Sequence, residues 1–283
     1  MSVSDGYTSV LPFLRRYARL LTGNQRAGDS MVLATLNAIA LDTTLTRLHP
    51  DPRHVLYRVL LRLWQSPVGD YLDALSVSSR QPGTKSKAAQ KISLSRPAFL
   101  LVTIENFSHA EARDLLEVTE QDFAALLAQA HRDVSEQLAT DVLIIEDELL
   151  IGFLLSDMME EFGHRVTSIV RTKSQAVKQA RLNRPKLILA DIQLADGTSG
   201  IDAVNEITGT GQIPTIFITA YPERLLTGLR PEPTYLVTKP FKREQIAAVV
   251  SQALYFDAKT RSGVDDAQMV EAILSGAGDL YAS

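Results

Sequence analysis

The stretch that decides the fold reads Pro185-Lys186-Leu187-Ile188-Leu189-Ala190-Asp191. Its four apolar residues run without polar alternation and end at a carboxylate, which predicts a strand buried on both faces of a parallel sheet. In such sheets, ligand-binding and catalytic side chains lie at the carboxyl ends of the strands. The polar, glycine-containing residues 194–200 follow and indicate a loop. Asp191 is therefore the first candidate for a functional side chain.

Strand and helix patterns alternate on both sides of this stretch. The strand-forming stretches are 141–148, 165–170, 185–191, 213–220 and 235–240, and the helical patterns are 149–162, 174–182, 201–207 and 243–256. This alternation predicts an α/β domain with an open, doubly wound parallel sheet over residues 140–256.

Polar side chains stand at the carboxyl ends of four of these strands: Glu146 and Asp147, Asp191, Thr219 and Lys239. Three converging carboxylates repel one another unless a cation lies among them, and Mg²⁺ is held by few carboxylates while it keeps several waters. One carboxylate can then attack a phosphoryl donor while metal, hydroxyl and ammonium bind the transferred oxygens. Taken singly, each residue also suits a turn or a surface corner. The joint placement favours the functional interpretation.

This constellation resembles the receiver domains of two-component response regulators. The resemblance implies that Asp191 is the phosphoacceptor and that Thr219 and Lys239 bind the phosphoryl group. It implies Mg²⁺ ligands at Glu146, Asp147 and Asp191, with the backbone carbonyl of Gln193 as a further ligand. It also implies a cis bond between Lys239 and Pro240.

Two departures from receiver domains are visible. The position three before the lysine is Leu236, and the aromatic residue stands one earlier at Tyr235, so the usual threonine–aromatic switch is not expected in its ordinary form. Residues 220–228 leave little room for a long fourth helix.

The amino-terminal half is predicted to be all-helical, in two parts. Residues 7–75 carry three helical patterns. The first ends at Gly23, the second runs from Ala27 to about Leu45, and the third runs from Asp51 to Trp64. Trp64 is interpreted as a core residue. The second part has Ser108 and Glu111 in a capping box, a short helix, a turn and a longer helix, which is the outline of a helix-turn-helix.

Both parts resemble extracytoplasmic-function sigma factors. The residues that carry the similarity to region 2 are 16–24, 27–32 and 55–59, and those that carry the similarity to region 4 run from 107–112 to 130–132. The predicted domains are 1–75 (region 2-like), 76–93 (a polar linker), 94–138 (region 4-like), 140–256 (receiver) and 257–283 (a carboxy-terminal extension).

The region 4-like part lacks the charge that DNA recognition requires. Residues 104–138 contain eight acidic residues and two basic ones, Arg113 and Arg132, and the helix expected to enter the groove begins Glu120-Gln121-Asp122. These acids repel a polyanion. An acidic helix face that is simply exposed to solvent would explain one such helix. The sigma-like order of the two parts instead favours a domain that presents a sigma-like surface to a protein that normally binds sigma factors.

Length, net charge and composition exclude several classes of protein. The 283 residues suit two domains or more, and the net charge of −4 gives no general attraction to nucleic acid or membranes. The absence of cysteine excludes disulfides and thiolate chemistry. Neither a signal peptide nor a membrane span is visible, so a cytoplasmic location is predicted.

The whole arrangement resembles the PhyR regulators of the alphaproteobacterial general stress response. The resemblance implies an anti-anti-sigma factor rather than an enzyme: phosphorylation at Asp191, by a sensor histidine kinase or phosphotransfer protein, releases the sigma-like domain to bind the anti-sigma factor NepR and so frees the stress sigma factor. One alternative is a response regulator that binds promoter DNA directly. Another is a phosphatase of similar topology, which requires a second acid where Gln193 stands.

Overall fold

The computed structural model describes residues 3–47, 49–65, 94–135, 139–194, 197–209, 213–228 and 232–260. The chain divides into two compact units. One combines the described helices up to Ala130 with the described residues of the segment Leu226–Thr234 and with the last described residues, from Ala258, and the other contains the sheet. The predicted linker 76–93 and residues 261–283 of the predicted extension lie outside the described residues. Among the described helices, none is long and apolar enough to span a membrane.

The helical unit contains the predicted helices. They are α1 (Val3–Thr22), α2 (Gln25–Leu41), a 3-10 turn (Thr43–Arg47), α3 (Pro52–Trp64), α4 (Ser95–Thr103), α5 (His109–Leu116) and α6 (Glu120–Ser135), the last of which continues past Ala130.

Side-chain caps explain where three of these helices begin. Asn24 accepts a hydrogen bond from the Ala27 amide at 3.1 Å, and Asp51 accepts one from the Arg53 amide at 3.0 Å. The Ser108–Glu111 capping box is complete, as predicted.

The prediction that the second helix reaches Leu45 is wrong, because α2 ends at Leu41. The Asp42 carboxylate accepts hydrogen bonds from the Thr44 amide at 2.9 Å and from its hydroxyl at 2.6 Å. Such local bonding competes with the helical pattern and ends the helix.

Helices α1 and α2 are in very close contact at Gly28. A Cβ atom there would lie 2.7 Å from the Arg19 backbone nitrogen, so any other residue would push the helices apart. Trp64, at the end of α3, is buried in the core of the helical unit, as predicted.

A buried carboxylate connects the region 2-like helices to the region 4-like helices. Glu105, in the turn between α4 and α5, accepts hydrogen bonds from Arg16 of α1 at 3.0 Å and from the Tyr57 hydroxyl of α3 at 2.7 Å. The Arg53 guanidinium donates to the Glu105 carbonyl and lies over the Phe107 ring. Burial first, and then the charge of Glu105, raise the pKa of Tyr57 well above its usual value, so this hydroxyl stays protonated.

The second unit is a parallel five-stranded sheet with helices, as predicted. Its elements are β1 (Asp141–Ile145), α7 (Leu149–Glu161), β2 (Arg165–Val170), α8 (Lys173–Asn183), β3 (Leu187–Asp191), α9 (Gly200–Thr208), β4 (Thr215–Thr219), a 3-10 turn (Pro222–Leu225), β5 (Tyr235–Thr238) and α10 (Arg243–Thr260). The strand order is β2-β1-β3-β4-β5, and all five residues of β3 are buried. Between β4 and β5 the described residues form only the 3-10 turn, in agreement with the prediction of no long helix there.

His164, between α7 and β2, is expected to make the sheet unit sensitive to acid. Its side chain is buried, and its Nδ1 atom has no hydrogen-bond partner among the residues that the structure describes. Burial lowers the pKa of His164 below the ordinary 6.5, so the unfolded chain takes up a proton more readily. The stability that the neutral ring contributes is present above about pH 6.5 and is lost as the pH falls below it.

We therefore expect His164 to contribute a decrease in the free energy of unfolding of the sheet unit between about pH 7.5 and about pH 5.5, and His164→Gln to remove that contribution relative to the wild type. Denaturant titrations of the full chain at several pH values measure both. His131→Gln, at an exposed position, is the control. Equal pH dependence in the two variants would contradict the assignment.

Candidate functional site

The strand order places the predicted polar residues at one edge of the sheet. Ile145 pairs with Ala190, so Glu146 and Asp191 directly follow paired residues of neighbouring strands. Asp191 pairs with Ile218, and Thr219 pairs with Thr238. The carboxyl ends of β1, β3, β4 and β5 therefore converge, as expected beside the point where strand order reverses.

Lys239 connects two of the carboxylates. Its Nζ atom lies 2.6 Å from Asp191 Oδ2 and 2.9 Å from Glu146 Oε2. Burial alone lowers the pKa of Lys239, but the hydrogen bonds to Asp191 and Glu146 outweigh it and raise the pKa. The side chain is therefore a fixed ammonium ion that touches the candidate phosphoacceptor.

Glu146, Asp147 and Asp191 form a cluster in which one carboxylate oxygen of each residue lies within 4.8 Å of the other two. Burial raises the pKa of Glu146 to about 7; the hydrogen bond from Lys239 opposes this rise, and the charge of Asp191 adds to it. The Glu146 carboxyl group is therefore partly protonated near neutral pH. A hard divalent cation suits this set of oxygen atoms and would displace that proton.

The loop after β3 folds back onto Asp191. The Gln193 amide donates a hydrogen bond to Asp191 Oδ1 at 3.2 Å. A Cβ atom at Gly200 would lie 1.8 Å from the Asp191 carbonyl oxygen, so only glycine fits at the start of α9. This requirement was missed in the sequence, where Gly200 reads as an ordinary loop glycine.

Thr219 is held at the end of β4. Its hydroxyl accepts a hydrogen bond from the Tyr221 amide at 3.1 Å, and its carbonyl accepts one from the Lys239 amide at 2.8 Å. The Lys239–Pro240 bond is cis, as the receiver resemblance implied. The hydroxyl and the ammonium are therefore carried by the ends of adjacent strands.

Arg171 is a further side chain at this edge that sequence reasoning missed. Its Nε atom donates to the Asp147 carbonyl at 3.0 Å, which ties the end of β2 to the acidic turn after β1. The pairing of β1 with β2 brings these residues together, and nothing in the local sequence around Arg171 indicates it.

Comparison with known proteins identifies the family of this chain. A family model for the sigma2 domain of PhyR matches residues 8–61, one for the sigma-like domain of the response regulator PhyR matches 91–137, and one for response regulator receiver domains matches 142–251. The phyllosphere-induced regulator PhyR of Methylorubrum extorquens strain AM1 is 44% identical over 263 residues, which cover 92% of this chain and 97% of that protein. The chain belongs to the PhyR family.

Solved structures of PhyR proteins agree with this assignment. PhyR from Brucella abortus matches with a TM-score of 0.80 and 44% identity, covering 92% of this chain and 97% of that one. The anti-anti-sigma factor PhyR from Bartonella quintana matches with a TM-score of 0.81 and 43% identity, covering 92% and 99%. The combination of a sigma-like half with a receiver, inferred from the sequence, is therefore the architecture of the PhyR family.

Proposed function

We propose that this chain is a phosphorylation-controlled anti-anti-sigma factor. Phosphorylation of Asp191 releases the sigma-like helices, which then sequester an anti-sigma factor of the NepR type and free the stress sigma factor for transcription. The observation that carries the proposal is the union, in one chain, of sigma-like helices with the Asp191–Lys239–Glu146 cluster. The relative from Bartonella quintana, which matches over nearly its full length, is described as an anti-anti-sigma factor.

In this proposal each residue of the site has a defined task. An Asp191 carboxylate oxygen attacks the phosphorus atom of the donor's phosphohistidine, and the phosphorus–nitrogen bond breaks, so that the imidazole leaves with the electron pair. The Lys239 ammonium and Thr219 hydroxyl bind the oxygens of the transferred group. Glu146, Asp147 and Asp191, with the Gln193 carbonyl, would hold Mg²⁺, which supplies positive charge beside those oxygens. The chain accepts the group from a sensor histidine kinase or phosphotransfer protein and catalyses no other reaction.

The affinity for Mg²⁺ is expected to fall about tenfold per pH unit below about pH 7, because the Glu146 carboxyl group must give up its proton when the ion binds. Glu146→Gln should weaken binding and remove this part of the pH dependence. Calorimetric titration with Mg²⁺ between about pH 6 and about pH 8 tests both effects. Glu160→Gln, at an exposed position on α7, is the control, and a pH profile that is the same in both variants would exclude Glu146 as a ligand.

The region 4-like helices argue against direct binding of promoter DNA. Glu120, Gln121 and Asp122 are all exposed in the first turn of α6, where a groove-reading helix needs donors. Arg113, one of the two basic residues between 104 and 138, pairs with Glu120 at 3.2 Å. These exposed acids support a protein partner in place of a polyanion.

One experiment separates the two functions. The full chain, treated with a small phosphodonor and Mg²⁺, is passed over a sizing column with a NepR-type anti-sigma factor and, separately, titrated with duplex DNA. We expect a stoichiometric protein complex and no DNA binding that weakens with salt. Salt-dependent DNA binding without the protein complex would support the promoter-binding alternative.

The proposed function places the protein in the cytoplasm, because RNA polymerase and its sigma factors act there.

A further inference from the structure

Arg171, the residue that follows β2, holds the backbone of the acidic turn after β1. Its Nε atom donates a hydrogen bond to the Asp147 carbonyl at 3.0 Å. The pairing of the two strands explains this contact, because Val170 pairs with Ile145 and the Glu146 amide donates to the Val170 carbonyl at 2.9 Å. The turn that contains Asp147 therefore begins beside the residue that carries the guanidinium.

The three acidic residues of the site differ in how their positions are fixed. Lys239 Nζ donates to Asp191 Oδ2 at 2.6 Å and to Glu146 Oε2 at 2.9 Å, so both of these carboxylates are held directly. Among the residues that the structure describes, the contact from Arg171 is the one hydrogen bond that reaches Asp147, and it reaches the carbonyl. The position of the Asp147 carboxylate therefore depends on its backbone, which Arg171 holds.

The backbone of Arg171 is itself fixed by the helix that follows it. Its amide donates to Gln175 Oε1 at 3.0 Å, and the Thr172 hydroxyl accepts a hydrogen bond from the Gln175 amide at 3.3 Å. Thr172 is the N-cap of α8, so this reciprocal pattern caps the helix. The guanidinium thus extends from an anchored backbone, and it can determine where the Asp147 carbonyl lies.

The position of Asp147 matters because the proposed ion needs all three carboxylates at once. One carboxylate oxygen of each residue lies within 4.8 Å of the other two. Mg²⁺ requires nearly octahedral oxygen ligands at about 2.0–2.1 Å, so a small displacement of one carboxylate weakens binding. Contacts that hold a metal ligand in place typically contribute about 10- to 100-fold in metal affinity.

We propose that Arg171 is a positioning residue for the Mg²⁺ site: through its Nε atom it holds the acidic turn so that the Asp147 carboxylate stays beside those of Glu146 and Asp191. The inference rests on the proposed function and deepens it, because phosphorylation of Asp191 uses the same ion. The hydrogen bond produces this effect and the positive charge opposes it, since a cation beside a divalent ion repels that ion.

Two neutral replacements of equal length separate the hydrogen bond from the charge. In Arg171→Gln the amide nitrogen stands where Nε stands in arginine, so the donor is kept. In Arg171→Met a methyl group stands there, so the donor is lost. We expect Arg171→Gln to bind Mg²⁺ at least as tightly as the wild type, and Arg171→Met to bind it about tenfold more weakly. Calorimetric titration of the full chain with Mg²⁺, without a phosphodonor, measures these affinities.

The rate of phosphorylation by acetyl phosphate, followed against the concentration of Mg²⁺, is a second readout. Arg171→Met should need about tenfold more Mg²⁺ for its half-maximal rate. It should reach the wild-type rate at saturating Mg²⁺, because Asp191, Thr219 and Lys239 are unchanged, and this rate also verifies an intact fold. A lower saturating rate with an unchanged requirement for Mg²⁺ would overturn the inference, since Arg171 would then act on the donor.

Lys178→Met is the matched control, because it removes an exposed cation of α8 and should bind Mg²⁺ as the wild type does. The inference is overturned if Arg171→Met binds Mg²⁺ within about twofold of the wild type, which is less than such a contact contributes. Equal losses in Arg171→Met and Arg171→Gln, or in Arg171→Met and Lys178→Met, would also overturn it. Failure of the proposed function looks different, because then the wild type itself neither binds Mg²⁺ nor accepts a phosphoryl group.

Discussion

Asp191→Asn is expected to abolish the gain in anti-sigma binding that a phosphodonor produces. The amide is not a nucleophile toward phosphorus, and it also removes one of the two carboxylates that contact Lys239. A phosphoryl group adds about −1.5 to −2 charges, and without it the balance between the two states is not shifted. Turning a mostly closed population into a mostly open one takes a differential affinity of up to about 10⁴-fold, so the lost effect is large.

Calorimetric titration of the anti-sigma factor into the full chain, with and without acetyl phosphate and Mg²⁺, measures this effect. The wild type should gain about a hundredfold or more in affinity upon phosphorylation, and Asp191→Asn less than about twofold. Asp202→Asn, an exposed aspartate in the first turn of α9, is the matched control and should respond as the wild type does. A phosphodonor response that survives in Asp191→Asn would exclude Asp191 as the switch.

Glu105→Ala is expected to cause a large loss of stability in the helical unit. The Glu105 side chain is 2% exposed, and its loss leaves the Arg16 guanidinium buried without its anion and the Tyr57 hydroxyl without an acceptor. Removing one partner of a buried ion pair costs about 3–5 kcal/mol. Domains of ordinary size have a total stability of about 5–15 kcal/mol, so this change takes a large part of it.

Denaturant unfolding followed by far-ultraviolet circular dichroism measures the loss. Glu105→Gln keeps the hydrogen-bond acceptor and should cost less than Glu105→Ala. The matched control is Glu117→Ala, because Glu117 pairs with Arg62 at 2.8 Å in an exposed contact that is worth about 1 kcal/mol or less. If the two alanine variants were equally stable, the buried carboxylate would not hold the region 2-like and region 4-like helices together.

The apolar runs allowed the parallel sheet and its functional edge to be predicted from the sequence. Strands such as Leu187–Asp191 are buried along their whole length, so composition alone reveals them. Because parallel strands end at one edge, Glu146, Asp191 and Lys239 were predicted together although they are far apart in the chain. Helix starts were predicted equally well where a side chain caps its own backbone, as Ser108 does.

Contacts that leave no periodic pattern in the sequence were not predictable in this way. The end of α2 at Leu41 was misplaced because Asp42 bonds to Thr44, a local choice that helical periodicity does not reveal. Gly200 became informative only when the Asp191 carbonyl was found against it.

By itself, the sequence determined the order of the parts, the parallel sheet, the acidic edge and the acidic character of the region 4-like helices, since periodicity, composition and charge are properties of neighbouring residues. The tertiary structure alone decided that the Glu105 carboxylate accepts hydrogen bonds from Arg16 and Tyr57, and that the Glu232 carboxylate accepts one from Arg19. A buried charge needs a counterion close to it, and that counterion can belong to a residue far away in the sequence. No pattern of neighbouring residues therefore predicts which two residues pair.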